Sequence, residues 1–289
     1  MTKQQVIGTS VAVMALAVVM SAAVPALASN KLIFEDNFTG GTDGDALTGR
    51  VAPTGQTWIA GESWLPGGSM ITGYVGNPYD TCCGAGNFGT TAYQWYGNNV
   101  NLGTSLAGRY SFEIDMNRGY PLGAGGATYN NTLGLYLREG DAGGANISVG
   151  WGNHSASNLS LEGGAGVTMG TVPDSSPNFW AGILKLVVDL DLPGKTVEVS
   201  WSPDPAIASS IYVGGVATPG APTSGTTGPI SFTGSFNPSQ VALYLQTTAS
   251  ASVRDGFDNL RLVQIVPEPG SLSLLGIAGL LGLRHRRRA

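Results

Sequence analysis

The chain has 289 residues, of which 11% are charged, and it contains 44 glycines and 16 prolines. So few charges and so many turn-forming residues exclude coiled coils and helical bundles, and they favour short strands joined by turns. The predicted mature body, residues 29–265, carries 9 basic and 18 acidic side chains. This acidic balance excludes nucleic-acid binding.

The N-terminal segment, residues 1–28, has the pattern of a secretory signal peptide. Lys3 gives it a positive start, residues 11–20 form an apolar run, and Ala26-Leu27-Ala28 supplies the small residues that precede a cleavage site. The pattern predicts a signal-peptide helix, export, and removal by signal peptidase. A permanent membrane anchor is the alternative, and the shortness of the apolar run argues against it.

The body is predicted to be one all-β domain. The runs 183–191 and 196–201 flank Leu192-Pro193-Gly194, as the strands of a hairpin flank their turn. One all-β domain of this length indicates two packed antiparallel sheets. The strands are predicted at residues 32–38, 56–60, 91–96, 109–116, 132–138, 147–151, 183–191, 196–201, 240–247 and 259–263.

Two short runs of the body resemble a known fold. Residues 33–38, Ile-Phe-Glu-Asp-Asn-Phe, resemble the first strand of concanavalin A-like sandwiches, the fold of laminin G domains, lectins and glucanases. Residues 257–262, Phe-Asp-Asn-Leu-Arg-Leu, resemble the last strand of bacterial jelly-roll domains, and the hairpin at 183–201 resembles a recurrent element of that fold. The resemblance implies a two-sheet antiparallel β-sandwich of the concanavalin A-like jelly-roll type, and a fold of this kind does not settle function.

The segment 111–118, Ser-Phe-Glu-Ile-Asp-Met-Asn-Arg, resembles the Glu-x-Asp-x-(x)-Glu strand of laminarinase-like glycosidases. In a strand, Glu113 and Asp115 would share a face, as a nucleophile and its supporting carboxylate should. Asn117 or Arg118 takes the position of the acid/base Glu, so the double displacement would lack its general acid. We therefore expect no enzymatic activity, with a divergent glycosidase using Glu113 and Asp115 as the alternative.

Aromatic and amide side chains form the best candidate set for carbohydrate binding: Tyr93, Trp95, Trp151 and Asn153. Aromatic faces stack on sugar rings, and polar groups fix the hydroxyls. Tyr93 and Trp95 would share one face of a strand. The alternative is that these aromatic residues belong to the core of the sandwich.

Structural calcium is the cofactor for which the body offers candidate ligands. If the first and last strands lie side by side, as in the resembled fold, Glu35 or Asp36 would approach Asp258. Carboxylate oxygens are the ligands that Ca²⁺ prefers. The alternative is that these acids are solvated turn residues that bind no ion.

Cys82 and Cys83 are adjacent, in a chain whose predicted export favours oxidation of thiols. Adjacent cysteines can close only a strained ring, because Cα atoms about 3.8 Å apart lie below the usual disulfide range. A vicinal disulfide is the expected state, with intermolecular cross-links and two free thiols as the alternatives.

The C-terminal segment, residues 266–289, joins three features in a fixed order. Val266-Pro267-Glu268-Pro269 is followed by an apolar run at 271–283 and by an arginine-rich end. This order resembles the PEP-CTERM sorting signal of bacterial exosortase substrates, and the basic end would stay on the cytoplasmic side. The apolar run would span about 20 Å as a helix, short of the roughly 30 Å hydrocarbon core. The resemblance implies a short hydrophobic transmembrane helix, held in the membrane until exosortase processes the chain near Pro267-Glu268-Pro269. An ordinary C-terminal tail anchor is the alternative.

These features together predict an exported protein of the cell surface or the extracellular matrix. Its expected role is that of a non-catalytic, lectin-like module that associates with extracellular polysaccharide or other matrix material. A divergent glycosidase and a purely structural matrix protein are the alternatives. No sequence feature separates the structural protein from a lectin.

Overall fold

Strands account for all of the regular secondary structure that a computed structural model of the chain describes, in residues 30–38, 45–60, 71–72, 85–87, 94–118, 132–140, 144–152, 158–173, 182–203, 211–213, 216–218, 223–247 and 255–266. The chain divides into two compact units, of which one comprises Met1–Asn30 and Ile265–Ala289 and the other comprises Lys31–Gln264. The second unit holds the sheets.

The strands, in chain order, are β1 (Lys31–Asp36), β2 (Trp58–Ala60), β3 (Ile71–Thr72), β4 (Ala85–Asn87), β5 (Gln94–Asn101), β6 (Arg109–Arg118), β7 (Thr132–Arg138), β8 (Asn146–Gly152), β9 (Asn158–Gly164), β10 (Thr168–Met169), β11 (Gly182–Asp191), β12 (Thr196–Pro203), β13 (Ile211–Val213), β14 (Val216–Thr218), β15 (Gly225–Thr226), β16 (Ile230–Thr233), β17 (Gln240–Thr247) and β18 (Asp255–Ile265). A ten-stranded sheet has the order β10-β16-β12-β11-β6-β18-β4-β3, with β1 paired to β18 and β15 paired to β12. A six-stranded sheet has the order β2-β5-β17-β7-β8-β9, and β13 pairs with β14 alone.

Alternation of apolar and polar residues sets the two faces of each long strand. In β6, Phe112, Ile114 and Met116 are buried, whereas Glu113 and Asp115 between them are half-buried. This is the period of two that a strand with one face on the core requires. The antiparallel register of β6 with β11 continues the same buried rows into the neighbouring strand.

The hairpin β11–β12 shows how a local turn fixes register. Asp191 pairs with Thr196 across the hairpin, and the Asp191 Oδ1 accepts a hydrogen bond of 2.8 Å from the Gly194 N–H inside the turn. Lys195 closes the turn with a φ of 51°. Because the side-chain period of a strand is two residues, this turn decides which residues of both strands reach the core.

One apolar core lies between the inner faces of the two sheets. Its largest fully buried side chains include Trp58, Trp151, Phe34, Phe112 and Phe257. Full burial of such a side chain contributes roughly 1.5–3 kcal/mol. The last strand, β18, supplies part of this core and pairs with β1 in antiparallel register, with Lys31 opposite Gln264.

The predicted fold class, an all-β sandwich of two antiparallel sheets, is confirmed, and each of the ten predicted strands overlaps an observed one. Sequence analysis missed β9 and most of the strands of four residues or fewer. The described ranges contain no helical segment with the length and hydropathy that a membrane crossing needs. The predicted signal-peptide helix, the predicted helix at 271–283, and Cys82 and Cys83 lie outside these ranges.

Candidate functional site

The outer face of the six-stranded sheet carries a row of polar and aromatic residues. Register places Asn99 opposite Ala242, Ala242 opposite Tyr136, Tyr136 opposite Ser148, and Ser148 opposite Glu162. Residues opposite one another in adjacent strands share a face. These five residues alternate with core residues, and together with Tyr244, Gln240 and Arg138 they form what we call the tyrosine face.

Two adjoining tyrosine rings, tilted against each other, dominate the tyrosine face. The ring centroids of Tyr136 and Tyr244 are 4.8 Å apart, with an interplanar angle of 44°. Tyr244 lies across β7 above Gly134, where an added Cβ would come within 1.9 Å of the Tyr244 ring. Burial raises the pKa of both phenols, and the nearby Glu162 carboxylate raises them further. Both hydroxyls therefore stay neutral at physiological pH and can donate as well as accept hydrogen bonds.

Buried polar side chains flank the rings. The Arg138 Nε donates to the Gln240 Oε1 at 3.0 Å, and both side chains are buried. Asn99 is 0% exposed, and neither its Oδ1 nor its Nδ2 has a hydrogen-bond partner among the residues that the structure describes. A buried polar group without a partner costs about 1–3 kcal/mol. The Asn99 Oδ1 can therefore still accept a hydrogen bond, and its Nδ2 can still donate one.

Two members of the aromatic set predicted from the sequence, Trp95 in β5 and Trp151 in β8, lie in strands of the same six-stranded sheet. Register aligns Trp95 with Gln246 and, through Thr132, with Gly152, while Tyr93 and Asn153 lie outside the described residues. Trp151 differs from the predicted surface position, because it extends from β8 into the core and is 0% exposed. Sequence analysis also missed Tyr136 and Tyr244. Their alternation with leucines in the predicted strands 132–138 and 240–247 was the available signal.

A second polar site lies on the outer face of the ten-stranded sheet. A pocket of about 300 Å³ is bounded there by Glu35, Asp36, Asn37, Pro53, Glu113, Lys185, Asn259, Leu260 and Arg261. Glu113 pairs with Lys185, with an Oε2–Nζ distance of 3.0 Å, and the Asn259 Nδ2 donates to the Asp115 Oδ2 at 2.8 Å. The structure thus brings the predicted glycosidase pair next to the residues predicted to bind calcium.

The acids of the predicted calcium site do not fit that ion. The buried Asp36 carboxylate accepts hydrogen bonds from the Arg50 guanidinium at 2.9 Å and 3.0 Å, from the Trp58 Nε1 at 2.8 Å, and from the Phe38 N–H at 2.7 Å. Its charge is therefore compensated and its lone pairs are used. Across the described ranges, no group of three or more His, Cys, Asp or Glu side chains is arranged to hold a metal ion.

Asp258, beside this site, has an unusual acidity. Burial, together with the nearby Asp115 and Asp36, raises the pKa of its carboxyl to about 7, although a hydrogen bond from the Asn259 N–H opposes this rise. A substantial fraction of Asp258 is therefore protonated at neutral pH. A neutral carboxyl next to carboxylates can donate a hydrogen bond or a proton.

The end of the chain matches a known sorting signal. Residues 266–288 match the PEP-CTERM protein-sorting motif, which confirms the predicted signal at Pro267-Glu268-Pro269. The motif indicates an exported, surface-sorted protein and implies processing by exosortase. No curated protein has significant sequence similarity to the chain.

The solved structures similar to the chain include lectins of the concanavalin A-like jelly-roll fold. Lectin II from Ulex europaeus is 8% identical, with 77% of this chain and 98% of that chain covered and a TM-score of 0.40. The carbohydrate recognition domain of Emp47p is 10% identical, with coverage of 81% and 98% and a TM-score of 0.40. The Ca²⁺/Man2-bound exoplasmic domain of VIP36 is 7% identical, with coverage of 61% and 76% and a TM-score of 0.39. Strand order and pairing, rather than these low TM-scores, establish the two-sheet sandwich.

Proposed function

We propose that this exported protein is a non-catalytic carbohydrate-binding module of the cell surface or extracellular matrix, and that the tyrosine face binds the glycan. The observation that carries the proposal is the pair of adjoining rings of Tyr136, which is half-buried, and Tyr244, which is 6% exposed, beside buried polar side chains. Aromatic rings offer apolar area to the faces of a sugar ring, and a few placed polar groups orient its hydroxyls.

The neighbouring residues suit a flat ligand without net charge. Gly134 and Gly150 are paired across β7 and β8, and the missing side chain of Gly134 leaves room for the Tyr244 ring, which lies against its backbone. The Arg138 cation and the Glu162 carboxylate on the same face offset each other in charge. A neutral polysaccharide would therefore pay less desolvation here than a polyanion would.

Binding by the exported protein to a diverse glycan array, with calcium and again with EDTA, tests the proposal. We expect saturable binding to a related set of glycans, and Tyr244→Ala should weaken it about tenfold or more, as truncation of an aromatic anchor does. Tyr244→Phe keeps the ring and should retain most of the affinity. Asp189→Asn, on the outer face of the other sheet, is the matched control.

Two outcomes of this experiment would overturn the proposal. The first is the absence of binding to any glycan, both with calcium and with EDTA, which would favour a purely structural matrix protein. The second is binding that persists in Tyr244→Ala but is lost in Glu113→Gln or Lys185→Ala. That result would mean that the glycan binds in the pocket on the ten-stranded sheet.

A divergent glycosidase is the second candidate, and the acidity of Asp258 favours it. The predicted strand lacks a general acid at Asn117 and Arg118, and a protonated Asp258 near Asp115 would supply one. Release of reducing ends from the glycans that bind is the measurement. Glu113→Gln should then abolish release, and an unchanged rate would eliminate this candidate.

A further inference from the structure

The adjacent residues Asn98 and Asn99 have the same side chain but differ in their hydrogen bonding. Both are fully buried in β5. The Asn98 Nδ2 donates to the Thr48 Oγ1 at 3.0 Å and to the Ile59 carbonyl at 3.1 Å. The Asn99 carboxamide, in contrast, finds no hydrogen-bond partner within the described part of the chain. Native proteins pair nearly all buried polar groups, so an exception of this kind requires an explanation.

The surroundings of Asn99 place its carboxamide on the tyrosine face. Its cross-strand neighbours are Ile59 in β2 and Ala242 in β17, and Tyr136 lies on the far side of Ala242. Tyr244 follows two residues along β17 and shares this face. Ala242 is 0% exposed and Tyr244 is 6% exposed. A sugar ring over the half-buried Tyr136 would therefore extend across Ala242 toward Asn99 only after this face opens.

A carboxamide carries one acceptor oxygen and one donor nitrogen, which lie in the same plane about 2.3 Å apart. Two hydroxyls on adjacent carbon atoms match this arrangement, because one can donate to Oδ1 while the other accepts from Nδ2. A lone hydroxyl satisfies only one of the two atoms at good geometry. A carboxylate or sulfate, which lacks a donor, would leave Oδ1 unpaired.

We infer that Asn99 is the specificity-determining residue of the tyrosine face, and that it selects a neutral glycan that presents a free vicinal diol to it. This inference rests on the proposed function, since it names the ligand class of the same site. Stacking on Tyr136 and Tyr244 supplies affinity for sugar rings in general. Asn99 supplies the discrimination, because a site with buried polar groups rejects ligands that leave those groups unpaired.

Burial of Asn99 also constrains how the ligand enters. The carboxamide is closed to solvent in the free protein, so the face must open before the diol can reach it. Binding that requires such a change is slower than the usual range of about 10⁵–10⁷ M⁻¹ s⁻¹. An association rate constant below this range is therefore expected for the preferred glycan.

The test compares one glycan that binds with matched analogues in which one hydroxyl of a diol is removed or methylated. For the exported protein, loss of the hydroxyl that faces Asn99 should lower affinity about 10-fold to 100-fold. In Asn99→Leu, which is close in volume, the parent glycan should bind more weakly and the analogues should no longer be distinguished. Asn98→Leu is the control, and it should keep the preference of the wild type.

Thermal unfolding provides a readout that does not depend on any glycan. Asn99→Leu removes an unpaired carboxamide and should raise the unfolding midpoint by at least about 2 °C, whereas Asn98→Leu removes two hydrogen bonds and should lower it. A fall of the midpoint for both variants would show that Asn99 is paired in the free protein, and would overturn the inference. Discrimination between analogues that survives Asn99→Leu would also overturn it. If no glycan binds at all, the proposed function fails and the inference falls with it, whereas a failure of discrimination alone leaves the proposed function standing.

Discussion

Tyr244 lies directly on Gly134, the residue opposite it in the neighbouring strand. A Cβ built on Gly134 would be 1.9 Å from the Tyr244 Cε1 and 2.3 Å from its hydroxyl oxygen. Glycine in the middle of a strand weakens the strand, so its presence in β7 marks a close approach. The absent side chain creates the space in which the Tyr244 ring lies beside Tyr136.

Gly134→Ala should therefore displace the Tyr244 ring. We expect a loss of about 1–3 kcal/mol in the free energy of unfolding, as for other overpacked sites, and a loss of glycan binding. Denaturant unfolding and the glycan array measure the two effects. Gly108→Ala is the control, because the nearest contact of its new Cβ, at 3.3 Å, would be the end of the Gln264 side chain.

A double substitution separates crowding from other causes. Gly134→Ala combined with Tyr244→Ala should cost less stability than the two single changes add up to, since the clash requires both side chains. Strict additivity would mean that the glycine is needed for another reason.

The sequence predicted β6, β7 and β12 well because each of them alternates apolar and polar residues over seven or more positions. Strand β9 was missed because its Gly163 and Gly164 follow only two buried leucines, Leu159 and Leu161. The short strands β10 and β15 have two residues each, too few for any period to appear. Their pairing depends on neighbours that are distant in the chain.

The candidate site was harder to predict than the fold. Composition singled out the tryptophans, but burial of an aromatic residue depends on the parity of its position in the strand. A shift of one residue moves a side chain to the opposite face, and Trp151 lies on the core parity. Asn99 lies opposite Ala242, which is 143 positions away in the chain and reaches the site only through sheet pairing.

Asp36 should be the charged residue whose loss destabilises the fold most. Its buried carboxylate holds Arg50, Trp58 and the backbone of Phe38. Asp36→Ala leaves the guanidinium and the indole N–H without their acceptor, and should cost about 3–5 kcal/mol. Arg109→Ala, which breaks the exposed pair with Asp191, should cost less than about 1 kcal/mol. Equal midpoints in urea for these two variants would contradict this account.

Asp258 should make stability depend on pH in a recognisable direction. Burial raises the pKa of Asp258 to about 7 in the folded protein, against about 3.9 in an unfolded chain. The folded state therefore holds the proton more tightly, and this group lowers the free energy of unfolding as pH rises from about 4 to about 7. Above about pH 7 the destabilisation that Asp258 causes no longer changes with pH.

Asp258→Asn should remove this contribution. The variant should gain stability over the wild type as pH rises through the window, and the gain should level off near pH 8. Urea unfolding at a series of pH values measures the difference, with the exposed Asp189→Asn as the control. A difference that shrinks with rising pH would show that the carboxyl is ionised in the folded state.

The last strand should be indispensable, although it directly precedes the sorting motif. Phe257, Leu260 and Leu262 of β18 are buried in the core, and β1 pairs with β18 up to the pair of Lys31 and Gln264. Leu262→Ala should cost about 2–5 kcal/mol, as large-to-small core changes do. Val266, one residue beyond the strand, is 38% exposed, and Val266→Ala should change stability by less than about 0.5 kcal/mol.

Truncations extend this comparison to whole segments. Removal of residues 267–289 leaves every described strand intact, so the body should still unfold cooperatively. Removal of residues 255–289 takes away β18, the partner of β1, β4 and β6, and should abolish cooperative unfolding. Near-ultraviolet circular dichroism during thermal unfolding distinguishes the two. A cooperative transition in the shorter chain would mean that the remaining strands can close the sheet without β18, and that the sorting motif follows a strand the fold does not need.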